Sequence, residues 1–209
     1  MKKMFVCLMA LAMTATMSAQ SYVGMDLGYS WAPSMILDGD DELTEDYDNK
    51  LDISATFFAG KQLFSAASLY GEIGFGFDYK QFTENTDIPL VGDCKNVGSI
   101  MSLDVPVRLA YLITVNQLTV KPFAGIGARF NVSTKNKTTI GDDTETINCF
   151  DEDDLGDDTW KRFGAFYTFG ATVGYRGYTV GLNYIKDFTE IYDDVKLNNG
   201  LAVTLGIQF

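Results

Sequence analysis

An alternation of apolar residues with polar or small residues constrains this chain most, because it recurs eight times and no convincing amphipathic helix interrupts it. Side chains of a β-strand point alternately to opposite faces of the sheet, so a period of two predicts strands. In the last segment, one face carries Leu201, Val203, Leu205, Ile207 and Phe209. The other face carries small or polar residues, which are Ala202, Thr204, Gly206 and Gln208.

The predicted strands and their connections set the topology. The eight predicted strands span residues 22–31, 51–61, 69–80, 99–113, 118–132, 161–175, 178–187 and 200–209. The connections alternate between short (62–68, 114–117 and 176–177) and long (32–50, 81–98, 133–160 and 188–199). Short turns at one end and long loops at the other are typical of outer-membrane barrels. We therefore predict an all-β fold, an eight-stranded antiparallel up-and-down transmembrane β-barrel with both termini in the periplasm.

The distribution of charge distinguishes a membrane barrel from a soluble one. An ionised side chain facing lipid near the bilayer midplane costs about 2–4 kcal/mol, and the predicted register turns every mid-strand charge inward. A soluble lipocalin-like barrel needs the opposite arrangement of faces, and its N-terminal Gly-x-Trp pattern is absent. The predicted inward charges are Asp26, Asp52, Glu72, Asp78, Lys80, Asp104, Arg108, Lys121 and Arg129.

Because neighbouring strands run in opposite directions, these charges sort into two heights. The periplasmic half receives Asp26, Glu72, Arg108 and Lys121, and the outer half receives Asp52, Asp78, Asp104 and Arg129. An eight-stranded barrel is narrow enough for side chains to fill its interior. We predict a salt-bridged network that fills the lumen; a selective ion or proton path is the alternative, and the charged, narrow lumen disfavours a pore.

The N-terminal segment has the pattern of a secretory signal peptide. Lys2 and Lys3 precede a short apolar run and small residues up to Ala19, whereas a membrane-spanning helix needs about 20 apolar residues. We expect residues 1–19 to be a signal peptide and 20–209 to form the barrel domain. Loss of the two lysines changes the net charge from -12 to -14, which disfavours nucleic acid as a partner.

The long connections are strongly acidic. With Asp187 counted in the fourth connection, they hold 23 of the 28 acidic residues. Clustered carboxylates can bind Ca²⁺, but the spacing here does not match an EF-hand. Solvated acidic loops are therefore favoured, and no cofactor is expected. The weak candidate metal ligands are Asp151, Asp153, Asp154, Asp157 and Asp158.

Two further residue types bear on chemistry. Cys94 and Cys149 fall in neighbouring long connections, and we predict a disulfide between them because an exported chain permits one. The chain contains no histidine, which removes the usual general base of catalysis by serine or cysteine. We expect that the protein is not an enzyme.

Several motifs resemble a known family. The chain ends in Phe209 after an alternating segment, which resembles the signal that the outer-membrane assembly machinery recognises. Val105, Pro106, Val107 and Arg108, followed by Tyr111, resemble the outer-membrane protein β-barrel domain family that includes PorT-like proteins. That family is similar in architecture to OmpA/OmpX-type barrels. The resemblance implies a bacterial outer-membrane location and supplies no catalytic residue.

These observations give two expectations for function. The first is a structural or interaction protein, anchored in outer-membrane lipid, whose acidic loops meet envelope or extracellular protein partners. The second, which the PorT-like resemblance implies, is a subunit of a secretion or envelope-assembly complex. A closed barrel has no unpaired edge, so we expect a monomer.

Overall fold

The computed structural model describes residues 21–31, 33–37, 47–64, 67–88, 92–150 and 160–209. None of these residues belongs to a helix long and apolar enough to cross a membrane. The described residues form eleven strands. Their bounds are β1 Ser21–Ser30, β2 Ser34–Leu37, β3 Asn49–Gln62, β4 Leu69–Ile88, β5 Gly92–Tyr111, β6 Ile113–Val115, β7 Leu118–Ile140, β8 Asp143–Asn148, β9 Phe163–Tyr175, β10 Tyr178–Tyr192 and β11 Val195–Gln208.

Eight of these strands form a ring in which every pair of neighbours is antiparallel. The order is β1, β3, β4, β5, β7, β9, β10 and β11. Strand β1 pairs with β3 on one side and with β11 on the other, with Gly24 opposite Gln208. The last strand therefore closes on the first, which confirms the predicted eight-stranded up-and-down barrel.

The two faces of the ring differ in chemistry as the alternation predicts. Ionised side chains point inward and are buried, whereas apolar side chains point outward and remain exposed. A ring closed around ion pairs can expose this much apolar surface only where lipid covers it. Exposed apolar residues of the ring include Leu27, Ile53, Ile73, Val105, Val107, Leu109, Leu118, Ile126, Phe169, Val173, Val180, Leu182, Leu205 and Ile207.

Several strands are longer than the sequence predicts. Strands β4 and β5 have 20 residues each and β7 has 23, whereas about 9–11 residues span a bilayer. Most of the predicted loops 81–98 and 188–199, and part of 133–160, are paired strands instead. The pattern differs there from that of the membrane-spanning part. Near the tip of the β4–β5 hairpin polar residues occupy both faces, whereas in 188–199 the apolar side chains of Ile191, Val195 and Leu197 are buried in the end of the barrel instead of facing outward.

Three short strands extend the ring at its ends. Strand β2 pairs with β11 in the same register as β1, with Ser34 opposite Asn198, so it continues β1 after an interruption. Strand β6 pairs with β7 across a tight turn in which Asn116 has φ 58°. Strand β8 pairs with the projecting end of β7, so β4, β5, β7 and β8 form a projecting sheet beyond the ring.

A small apolar cluster, which we call the outer plug, lies at the loop end of the ring. It is built from buried side chains on β4, β5, β10 and β11, with partly buried aromatic residues packed against them. Its core is formed by Phe82, Ile100, Ile191, Val195 and Leu197. The plug places apolar packing directly above the charged lumen.

Gly125 lies where a side chain has no room. A Cβ atom there would be 2.2 Å from the backbone oxygen of Val107, which cannot rotate away. We expect Gly125→Ala to lower the free energy of unfolding by about 1–3 kcal/mol through overpacking. Gly98→Ala is the control, because its Cβ would meet its nearest neighbour, a Phe82 carbon, at 4.0 Å. Urea unfolding in detergent would compare the two, and equal midpoints would contradict the expectation.

Candidate functional site

The charged residues of the lumen form two groups at different heights. The turn-side layer consists of Asp26, Glu72, Arg108 and Lys121. The loop-side layer consists of Asp52, Asp78, Lys80, Asp104, Arg129 and Asp187. Every one of these side chains is buried, and Lys80 and Arg129 are at most 1% exposed. Buried charges are tolerated only when they are paired and hydrogen-bonded, so the geometry within each layer matters.

Glu72 is the centre of the turn-side layer. Its Oε2 lies 2.9 Å from Nε of Arg108, and its Oε1 lies 2.8 Å from Nζ of Lys121. The Tyr22 hydroxyl also donates to Oε1, and Lys121 donates to Oε1 of Gln208 at 3.3 Å. The Glu72 carboxylate therefore links β4 to β1, β5 and β7 and stabilises the ring across the lumen.

Aromatic rings cover the cations of this layer. The Arg108 guanidinium carbon lies 4.6 Å from the centre of the Phe123 ring, and Lys121 Nζ lies 4.4 Å from the centre of the Phe58 ring. Each such contact contributes about 0.5–2 kcal/mol, more when water is excluded. The rings therefore stabilise the two cations while occupying lumen volume that water would otherwise fill.

Arg129 organises the loop-side layer. Its Nε and Nη2 donate to the two carboxylate oxygens of Asp104, each at 2.9 Å. Its Nη1 donates to Asp187 at 2.7 Å. A bidentate pair of this kind is among the stronger hydrogen-bonded contacts in proteins. Arg129 thus ties β7 to β5 and, across the lumen, to β10.

Asn199 connects Arg129 to the other half of the layer. Its Nδ2 donates to Oδ2 of Asp78 at 3.0 Å, and its Oδ1 accepts from Arg129 at 3.5 Å. Lys80 in turn contacts Asp78 and lies 3.9 Å from Asp52. The layer is therefore one connected network from β3 to β11.

The two layers differ in charge balance. The turn-side layer has two carboxylates and two cations, whereas the loop-side layer has four carboxylates and two cations. Asp187, which was counted above with the fourth loop, accounts for one of the two excess carboxylates. The structure corrects this, because Asp187 lies within β10 and is 3% exposed. Asp187 is separated from Gly181 and Asn183 by an even number of residues, so it points inward as they do. This alternation could have identified Asp187 as a lumen residue.

A small polar cavity separates the layers. It is lined by residues that include Ser54, Thr56, Asn183 and Thr204, and its volume is about 30 Å³. A cavity needs about 10–15 Å³ on this measure for each water, so it has room for about two or three waters. A larger cavity of about 120 Å³ lies at the turn end of the lumen and is lined by residues that include Lys121, Thr172, Thr179 and Gln208. Above this turn-end cavity, side chains fill most of the described part of the lumen up to the outer plug.

The predicted disulfide is wrong. Register places Cys94 opposite Ile140, whereas the Cys149 amide donates to the carbonyl of Thr134, six residues back along β7. At about 3.3 Å per residue this puts the cysteines about 20 Å apart, and a disulfide needs Cα atoms within about 7 Å. Both cysteines lie in the described part of the chain and no disulfide joins them. The extension of β5 and β7 as paired strands keeps them apart.

The remaining candidate residues are at the two ends of the chain and in the third loop. The signal peptide 1–19 and the candidate metal ligands 151–158 lie outside the described residues. Phe209 is 79% exposed, and its backbone pairs with Val23 at 2.8 and 3.1 Å. The terminal aromatic side chain is therefore held at the turn end of the closing strand, and its role as an assembly signal stays a prediction.

Comparison with solved structures returns matches at low identity. Ail, the attachment invasion locus protein of Yersinia pestis, has 11% identity and a TM-score of 0.44, covering 91% of this chain and 99% of that chain. Neisserial surface protein A has 11% identity and a TM-score of 0.41, covering 90% and 97%. LpxR from Salmonella typhimurium has 9% identity and a TM-score of 0.32, covering 90% and 99%.

At these values the likenesses carry no inference about activity, and comparison with curated proteins returns no match. The family comparison is decisive for classification. A model described as an outer membrane protein beta-barrel domain matches residues 4–209. Together with the closed antiparallel ring and its apolar exterior, this match shows that the chain belongs to the outer membrane protein beta-barrel domain family of the bacterial outer membrane.

Proposed function

We propose that this protein is a non-enzymatic, monomeric surface barrel whose projecting hairpins and acidic loops contact protein partners. The proposal rests on the contrast between a closed lumen and long strands that project beyond the membrane. Two ionic layers and the outer plug close the lumen above the turn-end cavity, while β4, β5 and β7 continue well beyond the length needed to span the membrane. The projecting hairpins and acidic loops therefore lie outside the ring, where they can contact a partner protein.

The lumen offers little support for transport. Arg129, Lys80, Phe82, Phe166, Ile100 and Leu197 are among the largest fully buried side chains. These side chains lie one above another along the barrel axis. The small polar cavity between the two layers is therefore not part of a continuous channel. An ion would have to break several buried ion pairs to pass, and each break costs several kcal/mol.

Catalysis has little support either. The chain has no histidine, so acid-base chemistry would depend on carboxylates. Six inward carboxylates are buried, and Glu72, Asp78, Asp104 and Asp187 have cationic partners within 3 Å. Groups held in this way support the barrel rather than a reacting substrate.

The orientation follows from export through the signal peptide. The assembly machinery would receive the strand that ends in Phe209, leave both termini and the short turns in the periplasm, and place the projecting sheet outside. The closed ring presents no unpaired strand edge within the membrane, which supports the monomeric state.

A shortened-hairpin variant tests the proposal. Thr83 lies opposite Val97, so replacing residues 84–96 with Asn-Gly closes β4 and β5 through a two-residue turn that favours a hairpin. Intact cells would be mildly crosslinked, and proteins bound to the tagged wild-type or shortened barrel would be identified by mass spectrometry. We expect defined partners with the wild type and their loss, at least fivefold, with the variant.

Heat-dependent electrophoretic mobility is the control, because the shortened barrel should still fold. If both barrels are recovered alone, the interaction proposal is wrong. If envelope proteins are recovered in fixed ratio with both barrels, the protein is instead a subunit of a secretion or envelope-assembly complex, as the PorT-like motif around Pro106 implies.

A further inference from the structure

The outward face of the projecting sheet carries a group of lysines, which we call the lysine face. It comprises Lys95 on β5 and Lys135 and Lys137 on β7, and all three side chains are exposed. Register places Ser99 opposite Lys135 and Val97 opposite Lys137. Residues directly opposite each other share a face of a sheet, so the three lysines lie on the same face.

Charge is segregated between the two faces of this sheet. The neighbours of the lysines on their own face are uncharged, such as Thr139, Thr144 and Thr146. The acidic side chains of the same strands lie on the opposite face: Glu84 opposite Asn96, Asp143 opposite Ile140 and Glu145 opposite Thr138. On the lysine face the structure describes two carboxylates. One is Asp93 near the hairpin tip, and the other is Asp48, which accepts hydrogen bonds from the backbone N and Nδ2 of Asn85, the residue opposite Lys95. In a chain of net charge -12, this separation points to an anionic ligand.

The lysine face continues the apolar exterior of the ring without a break. Outward residues of β4 and β5 are apolar up to the pair Tyr79 and Met101, and the next outward pair is Gln81 and Ser99. The change from apolar to polar marks the outer boundary of the hydrocarbon layer. Lys135, opposite Ser99, is one outward position above that boundary.

The three lysines begin in the headgroup layer and extend above it. Strands rise about 3.3 Å per residue and tilt by about 35–45° in membrane barrels, which puts Lys135 about 5 Å, Lys137 about 10 Å and Lys95 about 15 Å above the boundary. The polar region of a bilayer leaflet is about 5–8 Å thick beyond the hydrocarbon core, and glycolipid headgroups extend farther. Lys135 thus lies at the height of the polar headgroups, and Lys137 and Lys95 lie above it, where the larger headgroups of glycolipids extend.

We propose that the lysine face binds the phosphates of a phosphorylated glycolipid in the outer leaflet. None of the three lysines has an ion-pair partner among the described carboxylates, so their charges are available to a ligand. The flanking threonine and serine hydroxyls provide further hydrogen-bond donors. This proposal concerns lipid at the side of the barrel and stands independently of the protein partners proposed for the hairpins.

The test compares binding of lipid A, with and without its phosphates, to the full chain folded in detergent, measured by native mass spectrometry. Each lysine near an anionic headgroup contributes on the order of fivefold in affinity. The triple variant K95Q/K135Q/K137Q should therefore bind phosphorylated lipid A at least tenfold more weakly. Binding of dephosphorylated lipid A should be unchanged. Lys61→Gln, an exposed lysine at the turn end, should bind within twofold of the wild type.

Heat-dependent mobility would verify that the triple variant folds, and the single variant K137Q, with a loss of about fivefold, covers the case in which it does not. Wild-type affinity in the triple variant would overturn the proposal. So would equal binding of the two lipid A forms. Competition by inorganic phosphate at the same concentration as lipid A would show a free-phosphate site and would also overturn it.

Discussion

Replacing Arg129 with methionine is expected to lower the free energy of unfolding by about 3–5 kcal/mol. The substitution keeps the side chain long and removes the cation that holds Asp104 through two hydrogen bonds and Asp187 through a third. The loop-side layer would then hold four buried carboxylates and only Lys80. Urea unfolding in detergent, followed by tryptophan fluorescence, would measure the change.

Arg162→Met is the matched control for this measurement. Arg162 is exposed, and its guanidinium carbon lies 4.2 Å from the centre of the Phe150 ring, a contact that contributes about 0.5–1 kcal/mol at an exposed site. Equal losses for the two arginines would mean that the buried network contributes nothing beyond ordinary surface contacts. Adding Asp104→Asn and Asp187→Asn to the Arg129 variant should recover part of the loss, because the excess negative charge is then reduced.

Glu72→Gln is expected to have the second-largest effect, a loss of about 3 kcal/mol. Glutamine keeps the size and can still accept from Tyr22, but it removes the negative charge that faces both Arg108 and Lys121. Asp26 is then the one carboxylate left in the turn-side layer. The same urea unfolding measurement applies, and it isolates charge from packing because the side-chain volume hardly changes.

A double variant distinguishes charge imbalance from lost hydrogen bonds. Replacing both members of a buried pair with uncharged groups is often neutral, whereas removing one member is costly. Glu72→Gln combined with Lys121→Met should therefore be more stable than Glu72→Gln alone. A double variant that is less stable than the single one would indicate that Lys121 stabilises the barrel through its own contacts with Gln208 and the Phe58 ring.

The ring and the direction of its charges could be predicted from the sequence because strand parity is a local property. Glu72 and Arg108 lie on the adjacent strands β4 and β5, and both positions point inward. The register of the two strands places them directly opposite each other. Asp187 shows the limit of this reasoning. It ends the predicted strand, and only the continuation of β10 to Tyr192 reveals that the position is still inside the barrel.

The projecting strands and the cysteines could not be predicted in the same way. Near the tip of the β4–β5 hairpin polar residues occupy both faces, and in the β10–β11 hairpin the apolar side chains are buried in the outer plug. The rule of apolar outward and polar inward, which predicts the membrane-spanning strands, therefore does not extend to these segments. Cys94 and Cys149 fall in neighbouring connections, which is why a disulfide was predicted. The segments that carry them pair as strands instead, and this pairing keeps the two cysteines apart. Asn199 lies at a register shift between β10 and β11, where pairing passes from Ile185–Gly200 to Lys186–Asn198 and Gly200 has φ 64°. The strand alternation does not predict the contacts of a residue in such an irregularity.

The continuation of β1 by β2 against β11 has a consequence for the order of folding. The seam joins residues 24–37 to residues 195–208, so it closes the longest loop in the chain, and contacts so distant in sequence form slowly. Part of the first outer loop gains its strand partner only when the C-terminal strand arrives. Met35 lies opposite Leu197 in that seam, and Leu197 belongs to the outer plug. Sealing of the seam and ordering of the plug should therefore be a single late kinetic event.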